Sequence, residues 1–311
     1  MMPKLKSSLR VARHSFGGAV SAGVVVLISI NAPAQNLFEA DYGSGQILEI
    51  TPGGAQNLFA SGLNQPLGLA FDNAGNLFEA DANSGNVYEF TPGGAQSAFA
   101  SGLGRPNALA FDNAGNLFVA DGISGDVYEF TPGGAQSTFA SGLSQPLGLA
   151  FDNAGNLFVS DYNSDDIYKL APGGAQSTFA SGLSGPWGLA FDSTGNLFEA
   201  DSLSGNIYEF TPGGVQSTFA SGLDHPVGLA FDQADNLFEG DFNSGNIYEF
   251  TSGGGQTLFA SGLNQPTLLA FQGLPLPAPE PSAMTLLAAG AIALLAGSRR
   301  SRCSIRNGTR R

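Results

Sequence analysis

The feature of this 311-residue chain that most limits its possible folds is a tripeptide, Asn-Leu-Phe, that recurs at a fixed spacing. It begins at residues 36, 76, 116, 156, 196 and 236, so that six units of 40 residues follow one another without insertion. A strict period of about 20 to 50 residues is typical of solenoids, propellers and related arrays. Each unit in such an array buries its apolar face against its neighbours.

Each unit contains four short apolar runs separated by turn residues. In residues 196–235 these runs are NLFEAD, NIYEFT, VQSTFA and VGLAFD. Runs of about six residues rich in Phe, Val and Ile, with Gly and Pro between them, predict β-strands. No segment of the repeats has a sustained 3.6-residue period, so we expect no helix there. Four strands in 40 residues correspond to one blade of a β-propeller.

The two ends of the repeat array predict a closed ring. The first copy has no GLAFD-type strand before it, and the last copy ends with PTLLAF at 266–271. This last strand can therefore complete the first blade. An open solenoid would need polar caps, which the sequence does not show, whereas closure removes exposed strand edges. We predict an all-β, six-bladed propeller over residues 35–273.

The repeat resembles a known propeller family. Its pattern, P-x-G-L-A-F-D-x-x-G-N-L-F-V-A-D, is similar to the NHL repeat and to six-bladed propellers of the gluconolactonase and virginiamycin-lyase type. The resemblance covers all six copies. A WD40 propeller has a similar period, but this chain has no Trp-Asp dipeptide.

The charge of the chain is strongly segregated. Residues 36–275 contain 25 acidic residues and only two basic ones, Arg105 and Lys169, which gives a net charge of −23. Because affinity for nucleic acids comes mainly from Lys and Arg that neutralise phosphates, we expect no binding to DNA or RNA. The single cysteine, Cys303, lies in the basic C-terminal tail, so no internal disulfide can form.

The N-terminal residues 1–34 have the pattern of a secretory signal peptide. A basic start is followed by an apolar run and by Ala-Pro-Ala at 32–34, which favours cleavage after Ala34. The alternative is an uncleaved membrane anchor. We expect export through a Sec-type signal and processing by signal peptidase.

The C-terminal residues 274–311 contain a Pro-rich linker, a short motif (Pro279, Glu280, Pro281 and Ser282), an apolar segment at 283–297 and an Arg-rich tail. This order resembles the PEP-CTERM sorting signal of Gram-negative envelope proteins. The resemblance implies recognition by an exosortase, and localisation to the cell envelope or outside the cell. The alternative is an ordinary transmembrane anchor, although the apolar segment is shorter than the roughly 20 residues that usually span a bilayer.

Comparison of the six copies divides the predicted propeller into a constant end and a variable end. The Asp-Asn-Ala-Gly and Thr-Pro-Gly-Gly turns hardly vary and connect strands at one end. The connections at the other end differ between copies, as expected where loops carry function on a fixed scaffold; drift at exposed loops is the alternative. The candidate ligand-binding residues, all at the variable end, are Trp187, Asn107, Arg105, His225, Tyr42, Tyr162 and Phe242. Trp187 and Asn107, which directly follow the loop proline, are expected near the mouth of the central channel.

Trp187 is the only tryptophan of the chain and follows the loop proline. The small residues Ser184 and Gly185 before it predict an uncovered ring that could stack on a sugar or anchor a partner. The alternative is a ring folded over the next blade.

The recurring acids have mainly structural interpretations. An Asp that opens a Gly-containing turn usually accepts hydrogen bonds from nearby backbone amides. We therefore expect no cofactor, with a Ca²⁺ loop at DANSGN (residues 81–86) as the alternative; its spacing does not fit an EF-hand. Glu39, Glu79, Glu199 and Glu239 share a slot with Val119 and Val159, which predicts a half-buried, non-catalytic position.

Three function classes remain open from the sequence. The uniform repeats and the single body histidine favour a secreted, non-catalytic module that binds a glycan, a peptide or a partner protein. The family resemblance also implies the alternative of a metal-dependent lactonase-like or lyase-like enzyme. In that family a gluconolactonase-type metal is held by Glu, Asn and Asp, and virginiamycin-lyase-type sites depend on histidine. A purely structural matrix protein is a third interpretation.

Overall fold

The computed structural model describes residues 35–252 and 254–273. Within these residues the chain forms 24 short β-strands and no helix. Each of the apolar runs recognised in the repeat is a strand. The prediction of an all-β propeller is confirmed, and the described residues contain no helix that could cross a membrane. The predicted signal peptide, sorting motif and apolar tail segment lie outside the described residues.

The strands follow one another along the chain with nearly constant spacing. They are β1 (Leu37–Asp41), β2 (Gln46–Ile50), β3 (Gln56–Ser61), β4 (Pro66–Phe71), β5 (Leu77–Asp81), β6 (Asn86–Phe90), β7 (Gln96–Ala100), β8 (Pro106–Phe111), β9 (Leu117–Asp121), β10 (Asp126–Phe130), β11 (Gln136–Ala140) and β12 (Pro146–Phe151). They continue with β13 (Leu157–Asp161), β14 (Asp166–Leu170), β15 (Gln176–Ser181), β16 (Pro186–Phe191), β17 (Leu197–Asp201), β18 (Asn206–Phe210), β19 (Gln216–Ser221), β20 (Pro226–Phe231), β21 (Leu237–Asp241), β22 (Asn246–Phe250), β23 (Gln256–Ser261) and β24 (Pro266–Phe271).

Six antiparallel sheets of four strands form the blades. Blades 2 to 6 each take four consecutive strands, from β4–β7 to β20–β23. Blade 1 has the order β24-β1-β2-β3, with Leu37 opposite Phe271. The last strand of the chain thus fills the innermost place of the first blade, as predicted, and the ring has no open sheet at its ends.

Phenylalanine rings fill the seams between neighbouring blades. Phe38 of blade 1 contacts Phe71 of blade 2 edge to face, with ring centroids 5.1 Å apart. The closing seam between blades 6 and 1 repeats this contact between Phe238 and Phe271 at 5.0 Å. Such pairs contribute about 0.5–1.5 kcal/mol beyond their burial. The same packing at every seam explains why the ring tolerates six nearly identical blades.

The inner strands approach each other closely, which requires small side chains on one face. A Cβ atom added to Gly68 would lie 2.9 Å from the backbone oxygen of Asn107 in the next blade. Leu69, on the opposite face of the same strand, packs with Phe38 and Ala40 of the preceding blade. A face with large side chains on one inner strand therefore packs against a face with small side chains on the next.

Candidate ligand-binding face

Five half-buried aromatic rings form a continuous arc on the variable end. The centroid of Trp187 lies 5.9 Å from that of Tyr162 and 5.9 Å from that of His225. The arc continues from His225 to Phe242 at 5.6 Å and from Phe242 to Tyr42 at 5.8 Å. It crosses four consecutive blades in the order 4, 5, 6 and 1. Five of the seven predicted ligand-binding residues are thus brought together, and we call them the aromatic arc.

Backbone hydrogen bonds within each blade hold the arc residues in place. The amide of Phe242 donates to the carbonyl of His225 at 3.1 Å. The amides of Tyr42 and Tyr162 donate in the same way to the residues before the loop prolines of their own blades, Gln265 and Gln145. The two variable connections of a blade are therefore tied to each other, and their side chains lie side by side.

Trp187 lies in an irregular part of its strand. The pairing of β16 with β17 shifts register between Pro186 and Leu189, so Trp187 is part of a β-bulge. The same shift occurs at this point of the other five inner strands, so the bulge belongs to the repeat and is not special to Trp187. The ring is half-buried between Tyr162 and His225, which lies between the two predicted alternatives, and ligand binding by Trp187 stays a prediction. The residues that cover it belong to the two adjacent blades, 4 and 6.

His225 occupies a strained position at the centre of the arc. Its φ angle is +72°, in the left-handed region, as are those of Gln65, Gly185 and Gln265 in the same slot of other blades. A non-glycine residue in this region costs about 1–2 kcal/mol, so this strain belongs to the loop of the repeat and is not special to His225. Burial lowers the pKa of the His225 imidazole below its usual value, although the Ser202 backbone and two nearby aspartates oppose this effect. The ring is therefore neutral at neutral pH.

Blades 2 and 3 interrupt the arc. At the positions equivalent to Tyr42 they have Ala82 and Gly122, and no ring lies there. Arg105 of blade 3, a predicted ligand-binding residue, is half-buried beside this gap. In the described part of the chain its guanidinium forms no ion pair. The variable end thus combines an aromatic side with a gap that carries a single cation.

Asn107 does not lie on the accessible surface. Its side chain is 1 % exposed, and its Nδ2 donates to the Pro146 carbonyl at 3.0 Å. The prediction that it takes a ligand at the channel mouth is corrected here, because the neighbouring inner strand covers this position. Leu67, Leu147, Val227 and Thr267 occupy the same slot and are buried as well. Trp187 is the exception because its ring is too large for the slot.

The aspartates at the ends of the second strands anchor the variable loops. Asp161 accepts hydrogen bonds from the backbone amides of Ser144 at 2.6 Å and Gln145 at 2.7 Å. Each of the six equivalents receives at least one amide from the loop before the inner strand of its own blade. These carboxylates therefore fix the loops that carry the arc.

The aspartates of the constant turns also bind backbone amides. Asp72 accepts from Ala74 at 2.9 Å and from Asn76 at 2.8 Å, which is the expected turn pattern. Asp81, the first residue of the DANSGN loop, accepts from the amides of Asn64 and Ser84. Calcium binding by this loop stays a prediction.

The four glutamates of the Glu/Val slot are completely buried. Glu39, Glu79, Glu199 and Glu239 have 0 % exposure, and none of their carboxyl oxygens has a hydrogen-bond partner within the described residues. Burial, reinforced by the neighbouring aspartates, raises the pKa of each well above its usual value. The nearby backbone amide of Trp187 lowers the pKa of Glu199 and so partly opposes this rise. The amide is not placed well enough to form a hydrogen bond with the Glu199 carboxylate. The prediction of a half-buried slot is corrected, since both faces of these strands are covered by blades.

The described residues do not fit a site built from several strong metal ligands. No group of three or more His, Cys, Asp or Glu side chains in this part of the chain is arranged to hold a metal ion. The acids that recur in the repeat lie on separate blades, and the aspartates among them already accept backbone amides. We therefore derive no reaction step through a metal.

Clefts open between neighbouring blades at the constant end, where no ligand-binding residue was predicted. They have volumes of about 340, 370 and 250 Å³, between blades 2 and 3, 3 and 4, and 4 and 5. Their walls are phenylalanine rings and turn carboxylates. One signal was visible in the sequence: Lys169 occupies a position where the other five copies have glutamate.

The sorting motif is confirmed by comparison with protein families. Residues 277–300 match the PEP-CTERM protein-sorting motif, and this match includes Pro279, Glu280, Pro281 and Ser282. The motif indicates export to the envelope or exterior of a Gram-negative cell. Among curated proteins, none matches the chain.

Solved structures with a similar fold include both binding proteins and enzymes. A chain of a nidogen/laminin complex superposes with a TM-score of 0.71 at 20 % identity, over 77 % of this protein and 98 % of that chain. A gluconolactonase from Xanthomonas campestris gives 0.61 at 21 %, over 66 % and 78 %. Virginiamycin B lyase from Staphylococcus aureus gives 0.55 at 15 %, over 67 % and 77 %. At these identities the similarity establishes the propeller fold, the architecture that the repeat pattern predicted.

Proposed function

We propose that this protein is an exported, surface-sorted propeller that binds an extracellular glycan through its variable end, without catalysis. The observation that carries this proposal is the aromatic arc. Aromatic faces pack well on the apolar C–H faces of sugar rings, and aromatic side chains commonly dominate binding energies. The sorting motif supports a ligand outside the cell.

Polar side chains beside the arc complement its rings. Asn243, next to Phe242, is exposed and donates to the carboxylate of Asp224 at 3.1 Å. Asn83 and Asn64 form a similar exposed pair on blade 2. Amide and carboxylate groups at the rim can exchange these hydrogen bonds for bonds to sugar hydroxyls. The acidic surface around them disfavours polyanionic ligands.

A polypeptide ligand is the second candidate, because two large apolar side chains are exposed on the same end. Ile123 of blade 3 is 72 % exposed, and Leu203 of blade 5 is 60 % exposed. Exposed apolar groups beside aromatic residues are typical of protein interfaces. The nidogen/laminin structure shows that a propeller of similar fold occurs in a protein complex.

The enzymatic alternative depends on His225, the one histidine of residues 35–273, because an imidazole can act as acid or base near neutral pH. Its ring is packed between Trp187 and Phe242, and none of the hydrogen bonds above joins it to a nucleophile. Absence of turnover of lactones by the purified full chain is the expected result. If the wild type turned over a lactone and His225→Ala did not, an enzymatic function would replace the binding proposal.

The experiment for the proposal measures binding of the purified full chain to immobilised neutral polysaccharides and to envelope proteins. We expect retention on at least one polysaccharide, with loss in Trp187→Leu. Leucine is the matched replacement, because Leu67 and Leu147 occupy the same slot in other blades. Retention only on envelope proteins, lost in Ile123→Ser and Leu203→Ser, would favour the polypeptide ligand. Retention on neither would remove the proposal.

A further inference from the structure

The constant end carries a repeated cleft that combines aromatic walls with carboxylates. The cleft between blades 3 and 4 is lined by Phe118, Phe139 and Phe151 and by the acidic groups of Asp112, Glu129 and Asp152. The cleft between blades 2 and 3 has the equivalent residues Phe78, Phe99, Phe111, Asp72 and Glu89. We call these two the open clefts. Aromatic faces next to carboxylates attract cations both by cation–π interaction and by charge.

The cleft between blades 4 and 5 shows how this arrangement holds an ammonium group. There Lys169 takes the place of the glutamate, and its Nζ lies 5.0 Å from the centroid of the Phe158 ring. The same Nζ is 3.4 Å from Oδ2 of Asp152. Hydrogen bonds from Asn156 and the charge of Lys169 outweigh the effect of burial and lower the pKa of Asp152. One copy of the repeat therefore contains the cation that its counterparts lack.

The open clefts have the same walls and turn carboxylates but an additional negative charge. Glu89 and Glu129 occupy the position of Lys169, next to Asp72 and Asp112. In the described part of the chain neither glutamate side chain has a hydrogen-bond partner, whereas Glu209 accepts from Asn196 at 3.0 Å. No Lys or Arg side chain among the described residues lines either open cleft, so the carboxylates there attract a cation from solution.

We infer that the open clefts bind the ammonium groups of lysine side chains from a basic polypeptide. The cleft volumes of about 340 and 370 Å³ admit an alkyl chain with its ammonium group. The net charge of −23 on residues 36–275 attracts a basic partner over a distance. Adjacent blades repeat the site, so that a flexible chain with several lysines can occupy both clefts at once and gain affinity from this linkage. This inference is independent of the ligand at the aromatic arc.

The test measures binding of pentalysine to the purified full chain by isothermal titration calorimetry at low salt. The variant Glu89→Lys/Glu129→Lys places a built-in ammonium in each open cleft, as Lys169 does. We expect it to weaken binding by about fivefold (~1 kcal/mol) or more. Lys169→Glu, which opens a third cleft, is expected to strengthen binding.

A matched control separates the clefts from the general acidity of the surface. Asp126→Lys changes the charge by the same amount on strand β10, but at the variable end. We expect this variant to bind pentalysine almost as well as the wild type. An equal loss in Asp126→Lys and Glu129→Lys would overturn the inference, as would unchanged affinity in both Lys169→Glu and the double variant. If n-butylammonium bound each cleft as tightly as pentalysine does, the clefts would be sites for small amines and not for a polypeptide.

Discussion

Trp187 and His225 meet across the boundary between blades 5 and 6, with ring centroids 5.9 Å apart and planes inclined at 80°. Neither residue has an aromatic equivalent in the other copies at its own position. The contact therefore results from two independent departures from the repeat that coincide at one seam. Such a coincidence on otherwise uniform blades is the main reason to regard the arc as functional.

Replacing Trp187 tests what the ring does for stability and for binding. Trp187→Ala removes edge-to-face contacts with Tyr162 and His225 and should lower the free energy of unfolding by about 1–2 kcal/mol. Trp187→Leu should lower it less, because Leu67 and Leu147 fit the same slot. Chemical denaturation of the three proteins measures this difference. A loss above ~3 kcal/mol for the leucine variant would indicate a purely structural ring.

The titration of His225 reports on the packing of the arc. Because burial lowers its pKa, the imidazole should titrate below pH 6.5, as followed by NMR. The imidazole therefore binds its proton more strongly in the unfolded chain than in the folded protein. As a result, the contribution of His225 to the free energy of unfolding is lost as the pH falls from 6.5 through the lower folded pKa. Trp187→Ala admits water and should move the midpoint upward. A midpoint at or above 6.5 in the wild type would contradict the described environment.

The buried glutamates predict an opposite dependence on pH. Each binds its proton more tightly in the folded state, so stability should fall as the pH rises above about 4.5 towards the raised folded pKa. Glu79→Val should reduce this slope and stabilise the protein at pH 8 by about 1–3 kcal/mol, the cost of an unpartnered buried polar group. Val119 and Val159 show that the slot accepts valine.

Urea denaturation of the wild type and Glu79→Val at pH 5 and pH 8 measures this effect. Glu79→Gln is the control for charge alone, since it keeps a polar group without an ionisable proton. The prediction would be contradicted if the wild type were equally stable at pH 5 and pH 8 and Glu79→Val were less stable than the wild type. That result would show that a further partner stabilises the buried carboxylate of Glu79.

Asp161 should be required for the geometry of its loop. Asp161→Ala leaves the amides of Ser144 and Gln145 without their acceptor and should cost about 2–3 kcal/mol of folding free energy. Asp161→Asn keeps one acceptor oxygen and should cost less. Thermal unfolding compares the two variants. A cost below ~0.5 kcal/mol for alanine would mean that the loop holds its shape without the carboxylate.

Much of the fold was predictable from the sequence, because a strict 40-residue period with four apolar runs leaves few alternatives. The closure of blade 1 by β24 followed from one missing strand at the start and one extra strand at the end. The candidate residues at the variable end were predictable as a set, because they are where the copies differ. Their mutual contacts were not, since Tyr42 reaches Phe242 only after the ring closes.

The failures have local physical causes. Asn107 was predicted at the channel mouth because it directly follows the loop proline, whereas the adjacent inner strand covers it. The burial of Glu39 was underestimated because a slot that contains either Glu or Val was expected to be half-buried. The clefts at the constant end were missed because uniform turns were interpreted as structural, although Lys169 already marked the position.

The most direct test of the arc uses the fluorescence of Trp187, which is the only tryptophan of the chain. The purified full chain is titrated with the neutral polysaccharide that retains it, and the emission of Trp187 is followed. A ligand on the arc displaces water from the half-buried indole, so we predict a saturable blue shift with the same midpoint as the retention assay. Saturable binding that leaves the emission of Trp187 unchanged would show that the ligand binds elsewhere and would contradict the proposed function.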